Sequence, residues 1–205
     1  MKIIAHRGWW HTAQEKNSEG AFCRALENGF GIETDLRDHN GSVVISHDMP
    51  AGDSLMTLAQ FRALCEQYSP DNIMALNVKA DGLQNPVKAN VADWRNPFFF
   101  FDMSIPDTSG YIRNDLTIFT RESEVEPDPA FYNESQGVWI DAFLGDWVTV
   151  ETVEKHLGNG KKVCLVSPEL HGREHGPVWA KWRGLSGEDV MICTDFPHLA
   201  AEHWH

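Results

Sequence analysis

Five residues in the first quarter of the chain have side chains suited to acid–base and metal chemistry. They are His6, Arg7, Glu33, Asp35 and His47. Histidine titrates near neutral pH, so His6 and His47 are candidates for a general acid and a general base. Glu33 and Asp35 would share one face of a strand, where two carboxylates repel each other unless a cation lies between them. We therefore predict a site for Mg²⁺ or Ca²⁺, which prefer oxygen ligands, with both histidines beside it.

Two further polar residues, Asn77 and Lys79, end a later apolar segment and also share a strand face. The positive charges of Arg7 and Lys79 favour an anionic ligand. An anion that is bound by a divalent cation, an arginine and a lysine together is most simply a phosphate. The residues therefore predict metal-assisted chemistry at a phosphate group, with histidine acid–base catalysis.

A third polar set, Glu169, His171 and Arg173, alternates along the segment after a late apolar run. This apolar run is the seventh strand of the (β/α)₈ barrel that is predicted below, and such barrels often bind phosphate or the far end of a substrate after their seventh strand. We predict that these residues recognise the group beyond the scissile phosphate, through its hydroxyls or a second anion. The alternative is a salt-bridged loop that holds the next helix in place.

Other residues near predicted strand ends have less specific interpretations. Asp141 and Asp195 are either substrate contacts or structural hydrogen-bonding groups. Arg121 and Glu122 are expected to form a structural ion pair. Most tryptophans are expected in the core. Trp9, Trp10, Trp139 and Trp147 are candidates for a pocket wall, and Trp139 is favoured among them because its strand runs toward the predicted site.

Eight apolar segments alternate with helical segments, which predicts a parallel sheet buried on both faces. The predicted strands are residues 3–8, 32–37, 73–79, 98–104, 116–123, 137–143, 161–170 and 189–197. The Asn-Gly turn at 40–41 makes 43–48 a hairpin partner of the second strand. Eight such units that close on themselves form a small (β/α)₈ TIM barrel, with its site at the carboxyl ends of the strands. An open doubly wound sheet is the alternative, although the chain lacks its GxGxxG or P-loop motif.

The helical segments have recognisable capping signals. Ser18 is a predicted N-cap for residues 17–29, and Thr57 is the predicted cap of 57–68. Further helices are expected at 84–94, 148–160, 175–185 and 198–204. The segment 106–115 is expected to be a short helix or loop, and 126–135 a short turn or helix.

Composition favours one globular domain spanning residues 1–205. With 17 Lys and Arg against 30 Asp and Glu, the net charge is −13, which does not favour nucleic acid as a partner. No apolar stretch approaches the length of a membrane span. The four cysteines are scattered, which predicts reduced thiols in a cytoplasmic protein. The expected partner is a small-molecule phosphodiester substrate, and the oligomeric state stays open.

The motifs, in their order along the chain, resemble those of the glycerophosphodiester phosphodiesterase family. They are AHRG at 5–8, ExD at 33–35, HD at 47–48 and a strand that ends in Lys79. The segment NSEGAFCRALENGFGIETD is similar to a family stretch that usually begins with PENT, and CTDFP resembles the TDxP that ends the family's eighth strand. The resemblance covers the whole chain, and its specific motifs concentrate in residues 5–48.

This resemblance implies a TIM barrel, a bound Mg²⁺ or Ca²⁺, and cleavage of a phosphodiester. His6 and His47 match the acid–base pair of the family. Glu33 and Asp35 match its metal ligands. Arg7 and Lys79 match its phosphate contacts.

The chain departs from the family pattern in three ways, one of which is the segment SPELHGR at 167–173, which matches no general family feature. Asn77 stands where the family usually has glutamate as a third metal ligand, and a neutral amide oxygen binds a hard cation more weakly. Asp102 from the following strand is a candidate to compensate. The cap insertion that many relatives carry after the HD motif is nearly absent, so an open mouth is expected.

The function most consistent with these residues is metal-dependent hydrolysis of a glycerophosphodiester or a similar glycerol or sugar phosphodiester. One alternative is a phospholipase-D-like lyase that releases a cyclic phosphate. Another is a catalytically decayed phosphodiester-binding protein, which is suggested by Asn77 in place of a glutamate metal ligand. The two alcohol groups of the substrate, and the choice between Mg²⁺ and Ca²⁺, stay open.

Overall fold

The computed structural model describes residues 1–52 and 54–204, and its strands form a single sheet. The strands are β1 (Lys2–His6), β2 (Gly31–His39), β3 (Ser42–Ile45), β4 (Met74–Val78), β5 (Phe98–Phe101), β6 (Phe119–Glu122), β7 (Gly137–Ile140), β8 (Lys162–Val166) and β9 (Val190–Thr194). All except β3 lie within segments that the sequence predicts as barrel strands, apart from one or two residues at their ends. The predicted strands were generally longer, because their polar carboxyl ends leave the sheet.

Eight parallel strands close into a barrel. Their order is β5–β4–β2–β1–β9–β8–β7–β6. A parallel bridge between Phe100 and Ile118 joins the two outer members, and the Phe100 amide donates to the Thr117 carbonyl at 2.9 Å. The strand β3 pairs antiparallel with β2, with Ile45 opposite Leu36. The predicted TIM barrel and the predicted hairpin are both confirmed.

The helices surround this barrel. They are α1 (Glu19–Glu27), α2 (Leu58–Cys65), α3 (Gln84–Val91), α4 (Ile105–Arg113), α5 (Val150–Gly158), α6 (Gly176–Trp182) and α7 (Pro197–Trp204). Both predicted N-caps are confirmed: the Ser18 side chain accepts from the Ala21 amide, and Thr57 forms a capping box with Gln60. None of the helices described is both long and apolar enough to cross a bilayer.

Two apolar clusters make up the core, one between the barrel and the helices and one inside the barrel. The buried members of the inner cluster are Ile4, Ile73, Ala75, Phe99, Phe101, Phe119, Trp139, Cys164, Val166, Met191 and Cys193. Because side chains alternate along a strand, the inward positions that follow Ile4 and Cys193 are His6 and Asp195. The apolar interior therefore leads directly to ionisable residues at the carboxyl ends of the strands.

Gly137 makes room for the aromatic part of this interior. The rings of Phe99 and Phe119 stack with centroids 3.8 Å apart, and a Cβ atom at residue 137 would lie 2.4 Å from Cζ of Phe119. Because the stacked ring has little freedom to move, we expect Gly137→Ala to lower the free energy of unfolding by about 2 kcal/mol. Urea denaturation measures this change.

Gly184 provides a matched control for that substitution. A Cβ atom at Gly184 would meet no heavy atom within 4 Å in the part of the chain that the structure describes. Gly184→Ala should therefore leave the denaturation midpoint nearly unchanged. Equal midpoints for the two variants would show that the stacked rings of Phe99 and Phe119 can shift to accommodate a Cβ atom at little cost in free energy.

The connection from β6 to β7 consists of turns where the other barrel units have a helix, and a buried polar network fastens it to α5. Nε2 of His156 on α5 lies 2.6 Å from Oε2 of Glu122. Nδ1 of His156 lies 2.9 Å from the hydroxyl of Tyr132, which also accepts from Asn159 at 3.1 Å. Through the rings of Tyr132 and His156, the connection is therefore joined to α5 and, by way of Glu122, to β6 of the barrel.

This network predicts a specific loss of stability in acid. Burial lowers the pKa of His156, although the Glu122 carboxylate opposes the shift. A histidine with a lowered pKa in the folded state contributes stability above its unfolded pKa of about 6.5 and loses it as the pH falls further. Between pH 7 and pH 5, the free energy of unfolding should fall more for the wild type than for His156→Gln. Parallel pH profiles of the two proteins would contradict this expectation.

Candidate active site

His6 lies at the carboxyl end of β1, between two carboxylates. Its Nδ1 is 2.6 Å from Oδ1 of Asp195, which directly follows β9. Its Nε2 is 3.8 Å from Oε2 of Glu33, the residue opposite it on β2. The Asp195 contact fixes the plane of the ring and directs Nε2 toward the barrel axis. This contact favours the structural interpretation of Asp195.

Glu169 in turn fixes Asp195. One oxygen of the Glu169 carboxylate accepts from the Asp195 amide at 3.1 Å and from the Thr194 hydroxyl. The other oxygen accepts from the Ser167 hydroxyl. The chain itself thus supplies partners for both oxygens, which gives Glu169 a positioning role. Its predicted role as a substrate contact stays a prediction.

Asp35 is completely buried at the end of the parallel part of β2 and is surrounded by donors. Arg7 Nε lies 2.8 Å from its Oδ2, and Lys79 Nζ lies 3.5 Å from its Oδ1. Asn17 Nδ2 also donates to Oδ2, at 2.9 Å. The two cations that were predicted to contact phosphate therefore converge on one carboxylate.

A tight turn after β1 brings Arg7 to this position. Arg7 has a φ of 58°, in the left-handed region that few residues other than glycine adopt. Gly8 follows with a φ of 83°, and a Cβ atom there would lie 2.8 Å from the backbone of Ala21. The Asn17 amide donates to the Arg7 carbonyl at 3.0 Å. Asn17 thus supports the turn as well as Asp35, and the sequence signal for it is the NSE motif.

Three buried oxygens at neighbouring strand positions accept no hydrogen bond from the described part of the chain. They are Oε2 of Glu33, Oδ1 of Asp35 and Oδ1 of Asn77. Asp35 and Asn77 are opposite each other on β2 and β4. Burial and the nearby charge of Asp35 raise the pKa of Glu33 to about 7. Such oxygens are the donors that Mg²⁺ and Ca²⁺ prefer, so the predicted ligand set fits a hard divalent cation.

Asn77 is essential to this fit. Within residues 1–52 and 54–204, no three or more His, Cys, Asp and Glu side chains group together in a way that could hold a metal ion. Asp102, the candidate replacement ligand, has its Oδ1 2.6 Å from Arg121 and its Oδ2 3.9 Å from Lys79. Two cations also engage Asp35, but its buried Oδ1 accepts no hydrogen bond from the described residues, whereas Asp102 is only half-buried and accepts one from Arg121. Asn77 therefore remains the third candidate ligand.

His47 stands apart from the other predicted site residues. The Ser46 amide donates to the Asp35 carbonyl at 3.0 Å, so the chain passes the site just before His47. The His47 side chain is 45% exposed, and its Nδ1 lies 2.8 Å from Oδ1 of Asp48. The structure thus brings His6, Glu33, Asp35 and Asn77 together with both cations, and it leaves His47 at the rim.

A second histidine–carboxylate pair lies on the β7–β8 side of the mouth. Nε2 of His171 is 2.6 Å from Oδ1 of Asp141, and burial raises the pKa of that carboxyl while His171 opposes the shift. Arg173 donates to the carbonyls of Ala142 at 2.6 Å and Phe143 at 3.2 Å. Arg173 thus matches the alternative of a structural loop contact, although it holds the preceding connection and not the next helix.

Two sequence predictions are wrong here. Arg121 pairs with Asp102 and Glu126, whereas Glu122 faces the helices and pairs with His156. Adjacent strand residues point to opposite faces, so Arg121 and Glu122 are separated by the sheet. Trp139 does not form a pocket wall, because it is only 4% exposed and stacks inside the barrel on Phe101 with centroids 3.9 Å apart.

Solved structures with this architecture include two phosphodiesterases. A glycerophosphodiester phosphodiesterase from Agrobacterium tumefaciens str. C58 gives a TM-score of 0.71 at 17% sequence identity, covering 99% of this chain and 98% of that chain. The chain has the fold of a glycerophosphodiester phosphodiesterase. An Oleispira antarctica phosphodiesterase in complex with the product sn-glycerol-3-phosphate gives 0.70 at 17% identity, covering 99% of this chain and 96% of the other.

Both structural likenesses extend over nearly the whole chain. They are therefore not confined to residues 5–48, where the sequence motifs concentrate. No protein-family model matches the sequence, and the search of curated proteins gives no match.

Proposed function

We propose that this protein is a metal-dependent phosphodiesterase that hydrolyses a glycerophosphodiester or a similar glycerol or sugar phosphodiester. The fold that it has in common with glycerophosphodiester phosphodiesterases supports this proposal. The observation that carries it is a set of three buried oxygens, from Glu33, Asp35 and Asn77, that accept no hydrogen bond from the described residues. They lie near His6, which Asp195 holds. We also propose a cytoplasmic location, because the four cysteines are free thiols.

Glu33, Asp35 and Asn77 are the residues that would hold Mg²⁺ or Ca²⁺. Such an ion, when bound, neutralises negative charge on the phosphate oxygens. Arg7 and Lys79 lie on either side of Asp35 and contribute positive charge to the same phosphate. His171, held by Asp141, contacts the alcohol group beyond it, with Glu169 and Arg173 shaping that side of the mouth.

The two histidines divide the proton transfers. The Asp195 carboxylate beside Nδ1 of His6 favours the tautomer that carries its proton on Nδ1. Nε2 then accepts a proton from the attacking oxygen, and the Asp195 carboxylate stabilises the cation that forms. His47 gives a proton to the leaving alcohol from the rim of the mouth. Its exposure suits a residue that exchanges its proton with solvent between turnovers.

Phosphorus NMR of the products tests this function. The substrate sn-glycero-3-phosphocholine is incubated with the protein and Mg²⁺ or Ca²⁺, and in parallel with a chelator. The expected result is a phosphate monoester that forms only with the metal present. A cyclic phosphate as the end product would show that the protein is a lyase and not a hydrolase. Binding without turnover would favour a decayed phosphodiester-binding protein, which Asn77 and the exposed His47 would then explain.

Replacing Asn77 with aspartate tests the metal site without relying on turnover. A third carboxylate adds negative charge to the ligand set, so we expect Mg²⁺ to bind Asn77→Asp about tenfold more tightly than wild type. Isothermal calorimetry measures the affinity. The control is Asn85→Asp, which adds the same charge at an exposed position and should leave the affinity unchanged. Equal Mg²⁺ affinities of the wild type and both variants would show that residue 77 is not a metal ligand.

A further inference from the structure

Exposed apolar side chains gather on the face of the barrel that carries the site. Among the described residues, the large apolar side chains that stand out are Met49 at 79% exposure, Ile105 at 59%, Val125 at 65% and Leu144 at 77%. Met49 follows the antiparallel hairpin strand β3, whereas the other three follow barrel strands at their carboxyl ends. Ile105, Val125 and Leu144 follow the consecutive strands β5, β6 and β7, and we call these three residues the apolar ridge.

Hydrogen bonds hold two members of the ridge next to each other. Val125 lies at the tip of a turn in which the Ser123 and Glu126 backbones bond to each other at 3.1 and 3.2 Å. The neighbouring Glu124 carboxylate accepts from three successive amides of the next connection, those of Phe143 at 3.0 Å, Leu144 at 3.0 Å and Gly145 at 3.1 Å. The turn of Val125 is thus fastened to the loop of Leu144.

Ion pairs connect the third member. Arg121 binds Glu126 of the same turn and also Oδ1 of Asp102, the latter at 2.6 Å. Ile105, Arg121 and Glu126 line one small crevice of about 40 Å³. The segments that follow β5, β6 and β7 therefore form one rim that is held together by ion pairs and hydrogen bonds.

The polar and apolar side chains of this rim point in different directions. Asp102, Arg121, Glu124 and Glu126 are turned toward one another and toward backbone amides, as their contacts show. The ridge residues project into solvent. Exposing large apolar groups on a rigid, internally paired rim costs free energy unless a ligand covers them.

The ridge adjoins the site through Phe143. The Phe143 ring lies 5.1 Å from the ring of His171 and 5.6 Å from the Arg121 guanidinium. A substrate whose phosphate lies next to Arg7 and Lys79 and whose alcohol reaches His171 therefore comes directly to the ridge. An apolar group attached to that alcohol would cover Leu144 and Val125.

We propose that the apolar ridge binds an aliphatic chain carried by one alcohol of the phosphodiester substrate, so that the substrate class is a single-chain amphiphilic phosphodiester. This inference rests on the proposed function. The net charge of −13 disfavours an anionic membrane surface as the occupant. Continuity with the mouth favours a chain of the substrate itself over a separate partner.

A chain-length series tests the inference. The value of kcat/KM is measured by choline release for sn-glycero-3-phosphocholine and its 1-butanoyl, 1-hexanoyl and 1-octanoyl esters, all below their critical micelle concentrations. We expect kcat/KM to rise about twofold per methylene, as for partial burial of each group. In the double variant Val125→Ser, Leu144→Ser, this rise should disappear, while kcat/KM for the chain-free diester stays within about twofold of wild type. Met49→Ser, which removes an equally exposed apolar residue outside the ridge, should retain the full rise.

Binding of the octanoyl ester to His6→Ala by calorimetry separates the inference from the proposed function. Cleavage with no dependence on chain length, or a rise only above the micelle concentration, overturns the inference and leaves the proposed function intact. Chain-dependent binding that the double serine variant abolishes, with no cleavage of any diester by wild type, overturns the proposed function and supports the ridge. Equal binding by His6→Ala with and without the ridge substitutions overturns the inference.

Discussion

Replacing His6 with alanine should lower kcat/KM for a glycerophosphodiester about 10³-fold, because a positioned acid–base group typically contributes factors of this size. The folded state should persist, since the ring is partly exposed and lies outside the apolar interior. Circular dichroism and urea denaturation verify the fold. His11→Ala is the matched control, as His11 is an exposed histidine in the following connection, and it should retain wild-type kinetics. Full activity in His6→Ala would refute its assigned role.

Asp195→Asn distinguishes positioning from simple structural support. If Asp195 acts by holding the His6 ring, the substitution should lower kcat ten- to a hundredfold, roughly the range seen when residues supporting a site are replaced. KM should stay close to wild type, because the substitution leaves Arg7 and Lys79, the proposed phosphate contacts, unchanged. A merely structural role would instead change the denaturation midpoint and leave kcat unaltered.

Asp35→Asn should reduce stability and activity together. The completely buried carboxylate is the common partner of Arg7 and Lys79. Among the described residues, its loss leaves Arg7 without a counter-charge and Lys79 with only the more distant Asp102, at 3.9 Å. Removing one partner of a buried ion pair typically costs several kcal/mol. We expect a fall of about 3 kcal/mol in the free energy of unfolding, at the lower end because both cations retain some solvent contact. Urea denaturation measures the fall, and kcat/KM should fall at least a hundredfold, as for other charge-stabilising groups.

Asp38→Asn is the control for this substitution. Asp38 lies on the same strand but is exposed, so the same chemical change should alter stability by less than about 0.5 kcal/mol. Asp35→Asn with the stability of wild type would show that the two cations are adequately solvated. The ion cluster would then serve substrate binding alone.

The regular parts of this fold could be predicted because they depend on local patterns. Strand segments such as IIAH and the caps at Ser18 and Thr57 require only alternation, apolar runs and nearby polar residues. Parallel strands bring their carboxyl ends to one edge, which places His6 and Glu33 together without any knowledge of the side-chain contacts.

Contacts between distant connections could not be predicted in the same way. Asn17 donates to Asp35 across a turn in which Arg7 adopts a left-handed conformation. The NSE motif marks Asn17, but no local pattern predicts that its partner is Asp35. Glu169 fixes Asp195 from a different barrel unit. These pairings depend on how far each connection folds back over the mouth, and many different pairings satisfy the same pattern of polar strand ends.

The pairing of His6 with Asp195 also has a consequence for biosynthesis. The two residues are separated by 189 positions. During translation, His6 therefore leaves the ribosome long before Asp195, which orients it, has been synthesised. During this interval β1 has no partner on the β9 side, and closing so long a loop is an entropic cost that slows folding. Catalytic competence should therefore appear at the same moment as barrel closure. A nascent or truncated chain that ends before β9 would contain Arg7 and Lys79, the proposed phosphate-binding residues, and should nevertheless be inactive.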